Sequence, residues 1–131
     1  DYLISAAVTV VLAQRLARKN CSGCREPDPD VTTEVLKEMN FSEEQISTAK
    51  VSRGKGCSKC KDSGYKGRMG IYEILSVTKP IKEAILKKAT TPELKAIALS
   101  EGFRTMQDMG RALILSGDLN FREFDRVLSM E

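Results

Sequence analysis

Residues 3–13 read Leu3-Ile4-Ser5-Ala6-Ala7-Val8-Thr9-Val10-Val11-Leu12-Ala13, a largely apolar run without a charge. The run is far shorter than the ~20 residues a bilayer-crossing helix needs. It predicts a mostly buried helix. The helix opens with neither a methionine nor a capping residue, so it is expected to have packed on upstream structure in a larger protein. A signal peptide is not predicted, because the run lacks a basic lead and a small-residue cleavage site. From Leu12 to Asn20 the phases of alanine and leucine conflict, which predicts a helix giving way to a short strand.

Further on, Pro27 and Pro29 with Asp28 and Asp30 predict an extended or turning stretch. A short helix is expected over Thr33–Met39, with Val35, Leu36 and Met39 to one side. Ser42 and Gln45 have the spacing of a capping box for another helix through Thr48. Together these make a small helical cover expected to pack on the metal site that the flanking cysteines would form. Gly54 and Gly56 bracket Lys55, and Gly64, Gly67 and Gly70 punctuate the way into Ile71-Tyr72-Glu73-Ile74-Leu75, which is strand-like. Pairing that strand with Gln14–Lys19 gives an antiparallel hairpin.

The last third reads as helices. Pro80 suits a first turn and leads Ile81, Ile85 and Leu86. Thr91-Pro92-Glu93 opens a second helix with Leu94, Ile97 and Ala98 as its stripe and Gly102 as its stop. Thr105 caps a third, carrying Met109, Ala112 and Leu113 to Gly117. Asn120 with Glu123 caps a fourth, in which Phe121, Phe124 and Leu128 share a face. Four short helices with short links predict a small bundle. The fold class is therefore α+β and mostly helical, divided as 1–20, 21–67, 68–78 and 79–131.

The chemistry lies in the cysteines. Cys21-Ser22-Gly23-Cys24 and Cys57-Ser58-Lys59-Cys60 form two knuckles. A two-residue gap lets both thiolates of a knuckle turn onto one ion, and two knuckles complete a tetrahedral sulfur site. The chain has no histidine, so the ligand set would be Cys21, Cys24, Cys57 and Cys60 alone. Zinc suits such a site best, and four protein ligands leave no open position, making the metal structural. Rubredoxin-like iron and disulfides are the rival readings. Few aromatics are present to shield a redox centre, and nothing resembles the secretion signal that cystines favour.

With 131 residues, 41% apolar and 30% charged, the chain can bury a modest core, for which a metal staple is a reasonable supplement. Net charge is +3, too slight to argue for nucleic acid. Residues 25–56 hold seven acidic and five basic side chains, so this insert is at −2 and the remainder at +5. Arg18, Lys19, Arg25, Lys55, Lys59, Lys61, Lys66 and Arg68 crowd the knuckles. Four thiolates on a dication leave about −2, which these cations would compensate. A nucleic-acid-binding zinc ribbon is the alternative, but the acidic insert opposes it and only Tyr65 and Tyr72 lie near for stacking.

Leu12-Ala13-Gln14-Arg15-Leu16-Ala17-Arg18-Lys19 before the first knuckle resembles the C-terminal region of the bacterial type II secretion and type IV pilus assembly ATPases. So do Gly56-Cys57-Ser58-Lys59-Cys60, Ser63-Gly64-Tyr65-Lys66-Gly67-Arg68-Met69-Gly70-Ile71-Tyr72-Glu73 and Glu101-Gly102-Phe103-Arg104-Thr105-Met106. Gly117 and Glu123-Phe124-Asp125-Arg126-Val127 extend the similarity through the tail. Asn20, Ser63 and Phe103 stand where that family usually has an apolar residue, threonine and methionine. The resemblance implies the end of a RecA-like domain whose two-stranded edge carries the cysteine lobe. It also implies a hexameric, ATP-driven motor in the cytoplasm, peripheral to the inner membrane, acting on a platform protein there. ATP and Mg2+ would bind upstream. This sequence has neither the GxxxxGK[ST] loop nor a histidine, so only the four cysteines carry over, as metal ligands. No catalytic residue transfers.

Overall fold

The computed structural model describes residues 2–128. Helix α1 (Tyr2–Ala7) leads into strand β1 (Val10–Asn20), and strand β4 (Tyr65–Ser76) is its partner. The Val77 amide donates to Thr9 at one end and the Cys21 amide to Gly64 at the other, so the pair is antiparallel. The hairpin is thus present, and β1 is longer than the sequence implied. The expected buried helix over 3–13 is corrected: helix ends at Ala7, and Val8-Thr9-Val10-Val11 turns the chain extended. β-Branched side chains lose χ1 freedom in a helix and sit easily on a pleated strand. Burial is corrected too, since Leu3, Ile4, Val10, Val11 and Leu12 are exposed and only Ser5 of α1 is buried.

Contacts divide the chain into two compact units, one of residues 1–14 and 72–105, the other of residues 15–71 and 106–131. In the first, α1 packs on helix α4 (Lys79–Leu86), and α4 on helix α5 (Thr91–Ser100). Val77, Ile81 and Ala98 are its core, with Leu75, Ile85, Leu94, Ile97 and Phe103 around them. Pro80 sits in the first turn of α4 as expected. The cap of α5 is Thr90: its hydroxyl accepts from Glu93 N–H, while the Glu93 carboxylate accepts from Thr90 N–H at 2.7 Å.

The second unit holds the cysteines. Helices α2 (Thr33–Glu38) and α3 (Glu43–Thr48) fall where predicted, and Ser42 and Gln45 form the capping box at 2.9 and 3.1 Å. Their apolar side chains belong to the hydrophobic core, so what they cover is the core, whereas the sequence predicted the metal site. Leu36 and Phe41 cluster with Ala17, Ile71, Ile114 and Leu119. Helices α6 (Met106–Ser116) and α7 (Phe121–Leu128) pack on each other and supply Met106, Val127 and Leu128 to the same core. The four C-terminal helices therefore form two pairs in separate units. The expected single bundle is corrected, because each pair has its own apolar cluster to bury.

A second, smaller ribbon went unforeseen. Strand β2 (Arg25–Pro27) pairs antiparallel with strand β3 (Ser52–Gly54), matching Arg25 with Gly54 and Glu26 with Arg53. Pro27, which cannot donate, ends its strand. No helix among the described residues is long and apolar enough to cross a membrane.

Candidate metal centre

The two ribbons bring the knuckles together. Cys21 follows the last residue of β1, and Cys24 precedes β2. Lys55, just after β3, donates its N–H to the Cys24 carbonyl at 3.1 Å. Cys57 opens a 3-10 turn over Ser58–Cys60, its carbonyl accepting the N–H groups of Cys60 at 3.3 Å and Asp62 at 2.9 Å. The return to β4 is then clamped by the Cys21–Gly64 backbone bond at 2.9 Å.

This close passage explains two glycines. A Cβ on Gly54 would lie 1.9 Å from the Gly64 carbonyl oxygen, and one on Gly64 would lie 2.5 Å from that of Gly54. The crossing leaves no room for a methyl group on either strand. Gly64 also has φ +81°, a left-handed conformation that only glycine adopts without strain.

The four sulfurs converge within 4.8 Å of one another. Cys21–Cys57, Cys24–Cys60 and Cys57–Cys60 are each 3.8 Å apart, Sγ to Sγ. A disulfide requires about 2.05 Å, and all four cysteines are free. A regular tetrahedron of sulfurs bonded at about 2.3 Å to a central ion has edges of about 3.8 Å. The quartet thus fits a four-coordinate ion, and it holds together all four residues that the sequence singled out.

Backbone amides finish the cage. Gly56 N–H points at Cys24 Sγ, and Cys57 and Gly64 N–H both point at Cys60 Sγ, each at 3.2 Å. The Gly56 amide is the strongest single influence on Cys24 and favours its thiolate. Burial and the three neighbouring thiols outweigh it and push the pKa up to about 11. At Cys60 burial is the largest influence and acts upward. The amides of Cys57 and Gly64, with thiol hydrogen bonds from Cys57 and Cys24, draw the pKa down to about 6 instead. Crowded sulfurs resist gathering negative charge, and a bound dication reverses that balance. The Lys59 stem lies against Gly23, where a Cβ would meet its Cδ at 2.9 Å, so at least one of the predicted compensating cations is draped over the first knuckle.

The residues that steady this lobe escaped sequence reasoning. Asn20 is fully buried beside Cys21, its Nδ2 donating to the carbonyls of Ser52 at 3.1 Å and Gly117 at 2.8 Å. Arg18 lies over the Tyr65 ring, 4.1 Å from its centroid. Its backbone N–H donates to Glu123 Oε2 at 2.6 Å and its guanidinium to Oε1. Arg126 holds the same carboxylate from α7. Asn120 does cap α7, accepting from Glu123 N–H at 2.7 Å. The Glu123 side chain, expected to complete the box, turns to the arginines.

Burial, the largest influence on Glu123, would raise its pKa. The hydrogen bonds from Arg126 and Arg18 prevail and lower it from 4.5 to about 2. A depressed carboxylate stabilises the fold above its unfolded pKa, and that stability is lost as pH falls through the folded value. The side chain is wholly buried, so the shift corresponds to about 3 kcal/mol. Glu123→Gln is expected to remove most of this at pH 7. The gap between wild type and variant, measured by urea denaturation, should close between pH 4.5 and 2. A gap that stays constant over that range would mean the carboxylate's charge is not what stabilises.

The converging sulfurs define the class: a protein built around a four-cysteine centre able to hold a metal. The family model described as type II/IV secretion system protein matches residues 1–126, and this chain belongs to that family. It is 38% identical over 123 residues to the type IV pilus assembly ATPase PilB of Thermus thermophilus, covering 92% of this chain and 13% of that protein. Against PilB of Pseudomonas aeruginosa it is 36% identical, covering 95% of this chain and 22% of the relative. A putative type II secretion system protein E of Escherichia coli is 29% identical, with 98% and 25% covered. The chain thus spans a quarter or less of the length of these curated relatives.

Proposed function

We propose that this chain is the metal-bearing C-terminal part of a hexameric ATPase motor that powers type IV pilus assembly or type II protein secretion. The single observation that carries the reading is the family match, which runs from one knuckle through the other and on into α7. The metal is zinc, held by Cys21, Cys24, Cys57 and Cys60. A redox-inert ion tolerant of four thiolates suits an enclosed cage with 3.8 Å edges. Zinc supplies no chemistry here beyond tying residues 21–67 into a stiff lobe at the end of the long hairpin.

In the parent protein, β1 and β4 form the edge of a RecA-like domain. ATP and Mg2+ bind upstream of this chain, which alone neither binds nor hydrolyses nucleotide. The motor works in the cytoplasm at the inner membrane, where the stiff lobe passes nucleotide-driven motion to a platform protein. Rigid-body motion of this kind needs an element that does not deform under load.

The test is Cys57→Ser with Cys60→Ser in the full-length parent. Zinc should be lost and pilus or secretion output should fall to background, while the upstream nucleotide site still binds ATP. Normal output from zinc-free protein would end the lever reading.

A further inference from the structure

A polar cleft of about 320 Å3 opens within the cysteine-bearing unit, beside the second knuckle. Three carboxylates line it, Glu26, Asp28 and Asp30, and three cations, Arg53, Lys55 and Arg122. The sum is zero, but the charges are not equally engaged. Arg53 serves two of the acids, with Nε 3.2 Å from Glu26 and Nη1 3.7 Å from Asp30. Asp28 accepts the Asp30 N–H at 3.0 Å, a neutral donor that leaves its charge uncompensated. Lys55 and Arg122 have no ion-pair partner among the described residues.

Tyr65 and Asn120 also line the cleft. The Tyr65 hydroxyl already accepts from Asn120 Nδ2 at 2.9 Å, so what it still offers is its own proton. The unused groups are therefore an ammonium, a guanidinium and a phenol as donors, with one carboxylate as acceptor. Donors of that kind take an anionic oxygen, and charge-assisted bonds to it are the strong ones. A dianion such as phosphate would meet three carboxylates in the same space, and repulsion of that kind discriminates against it. A single carboxylate meets half that repulsion, and an accompanying cation offsets it by its attraction to the same acids.

We propose that this cleft is a docking site for a short polypeptide segment of a partner protein carrying one acidic and one basic side chain. Lys55, Arg122 and the Tyr65 hydroxyl take the acid, and Asp28 takes the base. The segment would lie against the backbone that sets the second knuckle: Gly54 and Ser63 line the same cleft, and the Ser63 hydroxyl donates to the Cys60 carbonyl at 2.7 Å. The assignment stands on the cleft itself and does not require the motor reading.

The experiment is an amide-resolved NMR titration of the metal-loaded chain with the capped peptide acetyl-Ala-Glu-Ala-Lys-Ala-amide. Saturable shifts are expected at Lys55, Tyr65 and Arg122, with a dissociation constant on the order of 1 mM. Lys55→Ala with Arg122→Ala should weaken binding about tenfold, as loss of two exposed charge contacts predicts. Both residues are exposed, and unchanged metal content and an otherwise native spectrum show that the variant is folded. The same peptide with Gln in place of Glu and Lys should give no saturable shift. The proposal is overturned if the Gln peptide binds equally well, if the double variant binds as wild type does, or if nothing shifts. It is also overturned if inorganic phosphate shifts these amides at lower concentration than the peptide does.

Discussion

Cys60→Ser is expected to reduce bound metal from stoichiometric to trace and to unfold the lobe between the knuckles. Cys60 is one of the two buried corners of the quartet, 3.8 Å from both Cys24 and Cys57, and its sulfur receives two backbone amides. Serine offers a shorter, harder oxygen that reaches less far toward the ion and binds it more weakly. Structural zinc contributes on the order of 10 kcal/mol to the folding of small sulfur-ligated units, as much as a whole domain's net stability. Elemental analysis and limited proteolysis of residues 25–56 give the readouts. Chelation of the wild type should reproduce the proteolysis pattern, and Ser58→Ala, at an exposed residue beside the same knuckle, should not. A Cys60→Ser protein that keeps its metal and resists the protease would dismiss the sulfur cage as a fold determinant.

Gly64→Ala should come next in severity. The methyl group would sit 2.5 Å from the Gly54 carbonyl oxygen at φ +81°, so β3 and β4 must part or the residue must change conformation. Either response moves the N–H that reaches Cys60 Sγ and the carbonyl that accepts from Cys21. Left-handed strain accounts for about 1–2 kcal/mol, and the clash adds to it, for about 3–5 kcal/mol in all. Gly67→Ala separates the two contributions. Gly67 has φ +80° but nothing within 4 Å of its would-be Cβ, so it should lose the strain contribution alone. Metal affinity from competition with a chromophoric chelator should drop sharply for Gly64→Ala and hardly at all for Gly67→Ala. Equal behaviour of the two variants would mean that the crossing is not tight in solution.

Some of this was legible in the residues and some was not, for reasons that differ element by element. Paired cysteines at a two-residue gap have few uses, so Cys21, Cys24, Cys57 and Cys60 could be assembled on paper. The Ser42 box was legible for a similar reason, since a capping residue works within its own turn. Val10–Asn20 was harder, because a short apolar run has no period that separates a strand from a helix. Its exposed apolar side chains also hide the alternation that a half-buried strand would show. The β2–β3 ribbon has three residues a side, too few for any pattern. Glu123 misled because a glutamate three residues after an asparagine imitates a reciprocal cap. Only the tertiary arrangement, with Arg18 arriving from β1, shows that the carboxylate has a stronger claim on it.

The contacts of Asn20 bear on how the chain is made. Its backbone N–H donates to Asp118 at 2.9 Å, and its side chain holds the Gly117 carbonyl, both on the turn between α6 and α7. A nascent chain that has emerged only as far as β4 already owns every sulfur but lacks these carbonyls. The sulfur quartet is therefore complete in the emerging chain well before the frame that seats the first knuckle exists. Final registration of the first knuckle must wait for the turn between α6 and α7, and partners separated by some 97 positions meet slowly compared with neighbours.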